Sequence, residues 1–411
     1  MTHSLRNLTT TSVGPQATKI INDIKNTSYS STYTYPLVIK TGKGCILQDI
    51  DGNNFLDFTS NIGSCPLGYS HPEIMEVLKE YSSNGCHKIA GQDFYCEEHA
   101  QIAHKLLSVS QRSSKLFLIN SGAEAVENAI KIAYKKMGSL PGISCINAFH
   151  GRTLGALSFT FSKEIHKANF PELPVKRIKF CTSDTDAEID SLEDLLKQYK
   201  VAFIISEVIQ GEGGLNIASK KFVRNLKKKA RQYNVPLIID EVQSGMGRTG
   251  RWWAYQHYGI EPDIMTVAKG LQVGAVVYDK LFDPDEPGVL SSTWGAGSRI
   301  DMAVGCKIIE TIESQGLLRN AQKQGENLLR GLGELVGSGD VIDVRGIGLM
   351  IGIELNQKST RDRIVRILFK NGLLVLPAGK RSIRIMPPLI ITGDEIENGL
   401  SILHNAFGRR I

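Results

Sequence analysis

The sequence predicts an α/β protein. It has a large domain whose mostly parallel sheet is covered by helices, and a small α+β domain built from both chain ends. Three observations carry this. Between about residues 95 and 300, short apolar runs at 115–120, 201–205, 236–240 and 263–267 alternate with amphipathic stretches, the pattern of a parallel sheet buried on both faces. The flanking segments mix hairpin signals with long helical ones. At 411 residues the chain has room for roughly two to four domains, or one large domain and a smaller companion.

Taken in order, the first 35 or so residues are polar and read as a lead-in arm ending at Tyr33-Thr-Tyr-Pro36. Leu37-Val-Ile39 and 44–49 read as strands, and Asp51-Gly52 is a hairpin turn signal before Asn54-Phe-Leu-Asp-Phe58. The predicted partition is 1–58 as arm and part of the small domain, 59–305 as the large domain, and 306–411 as the remainder of the small one. A helix is expected over 301–314, followed by strands near 343–354, 373–377 and 383–391 and a last helix from Asp394. Another helix, over 219–234, carries Lys220, Lys221, Arg224, Lys227, Lys228, Lys229 and Arg231. Phe222, Val223, Leu226, Ala230 and Tyr233 lie at helical spacing among them, so the expectation is one buried face and a solvated basic face rather than a nucleic-acid surface.

Composition excludes several classes. No apolar run approaches the ~20 residues of a membrane span, and residues 1–14 hold no hydrophobic stretch suited to a secretory signal. The 7 cysteines are scattered without a C-x-x-C pair, which suggests reduced thiols in a cytoplasmic protein. Histidines show no metal-binding spacing, so no metal is expected. A net charge of +6 is mild over this length and argues for neither nucleic acid nor a membrane as partner. The glycines of Arg345-Gly-Ile-Gly-Leu-Met-Ile-Gly352 fit neither G-x-G-x-x-G nor an ATP loop, and read as aids to tight strand packing.

Three segments carry chemistry. In the first, a strand ends at Asn120 and Ser121-Gly-Ala-Glu124 opens a helix, where unpaired N–H groups and the helix dipole suit a phosphate. An ordinary capping box explains the same residues. In the second, Pro236-Leu-Ile-Ile-Asp-Glu241 sets two carboxylates at the carboxyl end of a buried strand, where open α/β sheets bind ligands. Such a carboxylate either holds a heterocycle's ring nitrogen protonated or is simply stabilised by local N–H groups. In the third, Asp263-Ile-Met-Thr-Val-Ala-Lys-Gly270 places Lys269 just beyond an apolar strand. An amine desolvated there becomes a nucleophile for a carbonyl, whereas most lysines after strands reach solvent.

Together with Phe149-His-Gly-Arg-Thr153, Glu207-Val-Ile-Gln-Gly-Glu212 and Gly247-Arg-Thr-Gly250, these segments resemble, in order and over about residues 37–400, the motif series of class III aminotransferases. The resemblance implies pyridoxal 5'-phosphate as cofactor and fold type I with its seven-stranded sheet. It implies that Lys269 binds the cofactor aldehyde and later moves the proton, and that Asp240 pairs with the pyridine nitrogen. Gln243 would meet the phenolic oxygen, with Val242 and Phe149 on the two ring faces. Ser121, Gly122 and Ala123 would hold the phosphate, and Thr293 would reach the phosphate of a partner subunit in a homodimer with shared sites.

The resemblance extends to substrates. Arg152 looks like a distal carboxylate ligand, Arg384 like a near one, and Glu212 like the gate that neutralises Arg384 when an ω-amine is bound. That set implies transfer of the terminal amine of a lysine, ornithine, acetylornithine or 4-aminobutyrate type donor to 2-oxoglutarate. Leu271-Gln-Val-Gly274 and 375–379 lean toward lysine 6-aminotransferases. The alternative is a racemase or epimerase on the same cofactor site. The chain departs from the pattern at Val208, where most relatives carry proline, at Gly295-Ala-Gly-Ser298, and in a short link from Lys269 to Thr293.

Overall fold

The computed structural model describes residues 13–29, 34–83, 86–91, 93–110, 114–185, 190–290, 297–337 and 339–408. The chain divides into two units, Pro72–Leu318 and the combination of Met1–His71 with Arg319–Ile411. Among the described residues no helix is long and apolar enough to cross a membrane.

The Pro72–Leu318 unit holds a seven-stranded sheet. In chain order its strands are β1 (Ser114–Ile119), β2 (Gly142–Cys145), β3 (Val175–Ile178), β4 (Phe203–Ser206), β5 (Leu237–Asp240), β6 (Ile264–Val267) and β7 (Gly274–Asp279). Their spatial order is β1-β7-β6-β5-β4-β2-β3. Pairs among β2 to β6 are parallel, and β7 runs antiparallel to both β6 and β1. The sheet is therefore mixed by one reversed strand. The reversal follows from chain length: residues 268–273 are too few for the crossover that a parallel return requires. β2, β4, β5 and β6 are buried at every position, the burial expected of strands covered on both faces.

Helix α1 (Gly122–Met137) lays Ala125, Val126, Ala129, Ile130 and Ala133 into a core shared with Ile119, Phe203, Ile205, Ile238 and Ile264. These positions recur at three and four residues, one face of a helix. Gly138, at φ 84°, ends it in a backbone conformation that glycine adopts without strain. Helix α2 (Lys220–Gln232) is capped by Ser219 and buries Phe222, Val223, Leu226 and Ala230 as expected. The basic face departs from expectation at Lys229, which is only 8% exposed. Its ammonium pairs with Glu193 and donates to Gln232, so this lysine stays buried because a carboxylate on a neighbouring helix compensates it. Helix α3 (Arg299–Ser314) begins two residues before the predicted start.

In the other unit, Ile39–Lys43, Ile46–Asp49 and Asn54–Asp57 form an antiparallel meander, and Leu373–Leu374 joins it in parallel beside Leu56 and Asp57. Both ends of the chain thus share one sheet. The first strand starts at Ile39 rather than Leu37. A second sheet contains the hairpin Val341–Ile347 and Met350–Leu355, then Ser382–Ile385 and Leu376–Ala378. Gly348 turns the hairpin at φ 57°. A Cβ on Gly346 would stand 2.6 Å from Ile351 Cγ1, which accounts for glycine in this run by close strand packing.

Candidate active site

Three strand ends of the Pro72–Leu318 unit meet around one cavity of about 460 Å³. β1 delivers the first. Ser121 is extended (φ −143°, ψ 163°), and its hydroxyl accepts the Glu124 N–H at 3.2 Å while the Glu124 carboxylate accepts the Asn120 N–H at 3.0 Å. The cap thus occupies the serine oxygen, and Gly122 and Ala123 line the cavity. First-turn N–H groups lack helical partners. Side-chain bulk is excluded around this helix end. A Cβ on Gly122 would lie 2.6 Å from Val242 Cγ1, and one on Gly151 (φ 132°) 2.8 Å from the Ala123 Cβ.

β5 and β6 deliver the other two. Asp240 closes β5 at 5% exposure. Its Oδ1 accepts the Val242 N–H and the Thr266 hydroxyl, each at 3.0 Å, and its Oδ2 lies 2.8 Å from His150 Nδ1. A carboxylate only accepts, so the imidazole proton sits on Nδ1. Nε2 of the buried His150 has no hydrogen-bond partner among the described residues. The parallel register sets Asp240 beside Thr266, and Lys269 follows three residues on in the short turn Lys269–Leu271. The lysine and the carboxylate line the same cavity.

Two further carboxylates are buried in this region, Glu207 in the cavity lining and Glu241 next to Asp240 in the chain. Glu207 is 7% exposed and accepts the N–H groups of Phe149 and Gly211, both at 3.0 Å, tying together the loops that carry Phe149 and Glu212. Burial pushes its pKa up to about 7. Glu241 accepts from Ser244 and from the Tyr255 N–H at 2.6 and 2.8 Å, and burial likewise raises it to about 7. Gln243 lies against the Gly211 backbone, where an added Cβ would stand 1.9 Å from its Oε1.

Of the residues singled out in the sequence, Gly122, Ala123, Phe149, Arg152, Glu212, Asp240, Val242, Gln243 and Lys269 line this one cavity. Ser121 stands at its edge as the helix cap. Arg384 belongs to the other unit, where it is 3% exposed on the strand Ser382–Ile385 and faces Gly352 and Leu376 across the sheet. The bare sequence suggested a surface arginine before a proline turn; in the structure it sits on an interior strand of its sheet and is buried. Thr293 lies outside the described residues. Sequence reasoning assigned no part to His150 or Glu207, although both sit inside the quoted motifs.

The residues suit pyridoxal phosphate. A helix start shaped by glycine fits an anionic phosphate. A buried carboxylate braced by three donors fits a cationic ring nitrogen, and a lysine in the same cavity fits an aldehyde.

The family model "Aminotransferase class-III" matches residues 28–407. An acetylornithine aminotransferase from Prochlorococcus marinus is 39% identical over 90% of this chain and 91% of its own length. One from Aquifex aeolicus is 38% identical over 90% and 96%. Among solved structures, a lysine aminotransferase from M. tuberculosis superposes with a TM-score of 0.88 at 28% identity, covering 95% of this chain and 98% of the other. An ornithine aminotransferase from Toxoplasma gondii gives 0.87 at 27%, over 95% and 94%. Sequence likeness along nearly the whole chain, reached independently of the cavity's chemistry, agrees with it: the chain belongs to the class III aminotransferases, pyridoxal-phosphate-dependent enzymes of fold type I.

Proposed function

We propose that this aminotransferase takes the terminal amine of an ω-amino acid and passes it to 2-oxoglutarate. The observation that carries the reading is that Lys269, Asp240, Arg152 and Glu212 line one cavity, an amine and an acid for the chemistry beside a cation and an anion for the substrate. The acetylornithine, lysine and ornithine names of the relatives support a donor of this kind. All of those relatives are aminotransferases, and the racemase alternative draws no support from them.

When bound, pyridoxal phosphate supplies an aldehyde that takes up the amino group and a protonated ring that accepts electrons from the neighbouring carbon. Lys269 would hold the cofactor through its amine and would serve as the base that moves the proton at the substrate carbon. Asp240 would keep a proton on the ring nitrogen, its own orientation fixed by His150, Thr266 and the Val242 N–H. The helix start at Ser121, Gly122 and Ala123 would hold the phosphate through its backbone N–H groups, Val242 and Phe149 would enclose the ring, and Gln243 would serve its phenolic oxygen. Arg152 binds the carboxylate at the far end of the donor. From the sequence pattern alone we assign Arg384 as the second carboxylate ligand, Glu212 as its gate, and Thr293 as the phosphate contact to the partner in a homodimer.

Lys269→Ala abolishes turnover and removes the visible absorbance of the lysine–cofactor bond, checked by spectroscopy of the purified protein. A panel of lysine, ornithine, N-acetylornithine and 4-aminobutyrate, each mixed with enzyme in the absence of keto acid, then converts the aldehyde-form absorbance to the amine form. If no ω-amine does so, the donor assignment is wrong. If Lys269→Ala keeps both colour and turnover, the lysine assignment is wrong.

A further inference from the structure

The rim of the cavity carries charges that the scheme above leaves without a role. Lys163 stands just before the short turn Glu164–His166, and its Nζ is 3.8 Å from the Glu212 carboxylate. The turn is pinned from behind. Lys167 donates to the Ser158 carbonyl at 2.9 Å, pairs with Glu172 at 2.7 Å and lies 3.7 Å over the Phe161 ring. The Leu173 N–H donates to Ser158 Oγ at 2.8 Å. These contacts anchor the segment that follows Lys163, whose own side chain is 42% exposed.

His166 completes the rim, meeting the cavity-lining Phe149 edge-on with ring centroids 5.9 Å apart. Burial first, then the charges of Lys163 and Arg152, disfavour its protonated form, and Glu212 opposes them only in part. At neutral pH the imidazole therefore adds no charge. Around it stand two cations, Arg152 and Lys163, and one anion, Glu212.

We propose that Lys163 is a specificity-determining residue: its ammonium joins Arg152 against the one carboxylate of Glu212, so that the rim keeps a net positive charge for the far end of the donor. A donor whose far end is a single carboxylate, as in an N-acylated amino acid or a simple ω-amino acid, meets a matching charge. A free α-amino-acid end also carries an ammonium, which a rim of net positive charge repels. The inference rests on the ω-amine reading and adds to it the charge of the donor's remote end.

The test compares wild-type, Lys163→Gln and Lys163→Arg holoenzymes in two measurements. The first is calorimetric binding of pentanoate, an inert monocarboxylate. Its affinity falls about three- to fivefold in Lys163→Gln, as for loss of one partly exposed charge. It recovers in Lys163→Arg, and the difference shrinks at high salt. The second is the ratio of kcat/KM for N-acetylornithine over ornithine, which falls by a similar factor in Lys163→Gln. Unchanged pentanoate affinity with an unchanged ratio overturns the role of Lys163 and leaves the ω-amine reading standing. If the wild type turns over none of lysine, ornithine, N-acetylornithine and 4-aminobutyrate, the ω-amine reading falls and the specificity assignment with it, even where pentanoate binding still depends on Lys163.

Discussion

His150 donates to Asp240 from Nδ1 at 2.8 Å inside a fully buried pair, which makes it a positioning residue for the acid assigned to the cofactor ring. Hydrogen bonds to charged groups are worth roughly 1.5–3 kcal/mol. His150→Ala should therefore lower kcat by roughly 10- to 100-fold with little change in donor KM, and shift the pH at which the cofactor absorbance titrates. His150→Asn keeps an N–H donor and should recover part of the loss. A KM effect without a spectral shift would mean that the histidine only fills space. The sequence did not single out this residue because its importance lies in a partner 90 positions away. Asp240 and Lys269 were legible, since each follows an apolar run whose end is fixed by strand length. Arg384 was not, because its place on an interior strand depends on segments distant in sequence and leaves no trace in the local residues.

At the scale of elements, the start of α1 serves two purposes that substitution can separate. The Ser121 hydroxyl accepts the Glu124 N–H, and losing an N-cap costs about 1 kcal/mol. Ser121→Ala should lower the melting temperature of the cofactor-free protein by roughly 1–3 °C. Cofactor affinity should change less than tenfold, because the backbone N–H groups of Gly122 and Ala123 remain. A larger loss of affinity with no thermal shift would make the hydroxyl a phosphate ligand instead of a cap. The capping box was readable from Ser121 and Glu124 three residues apart. The reversed direction of β7 was not foreseen, because Gly274-Ala-Val-Val-Tyr-Asp279 has the same apolar character as the parallel strands around it. A signal did exist, in the six residues at 268–273, too few for a crossover helix.

For the molecule as a whole, the enclosed carboxylates set how stability depends on pH. Burial holds Glu241 near 7 in the folded state against an ordinary 4.5. Between those values the folded chain keeps a proton that the unfolded chain has released, so stability falls as pH rises through this window. The penalty is absent below about 4.5 and complete above about 7. Glu241→Gln keeps an acceptor for the Tyr255 N–H and an amide to donate to Ser244. It should be more stable than wild type at pH 8, by on the order of 1–3 kcal/mol, with the gap closing toward pH 5. An equal gap at both pH values in thermal melts would show that Glu241 does not carry the effect. Such burial was beyond the reach of the sequence, where Glu241 reads only as the neighbour of Asp240. The reversed strand has one more effect. A Cβ on Gly274 would lie 2.8 Å from the Ser121 carbonyl oxygen and 2.9 Å from its nitrogen, so the peptide leading from Lys269 rests directly on the one leading into α1. Main chain against main chain acts as a ruler between nucleophile and anchor, indifferent to which residues decorate the entrance. The entrance is thereby open to re-cutting for a new donor while the reaction centre stays calibrated.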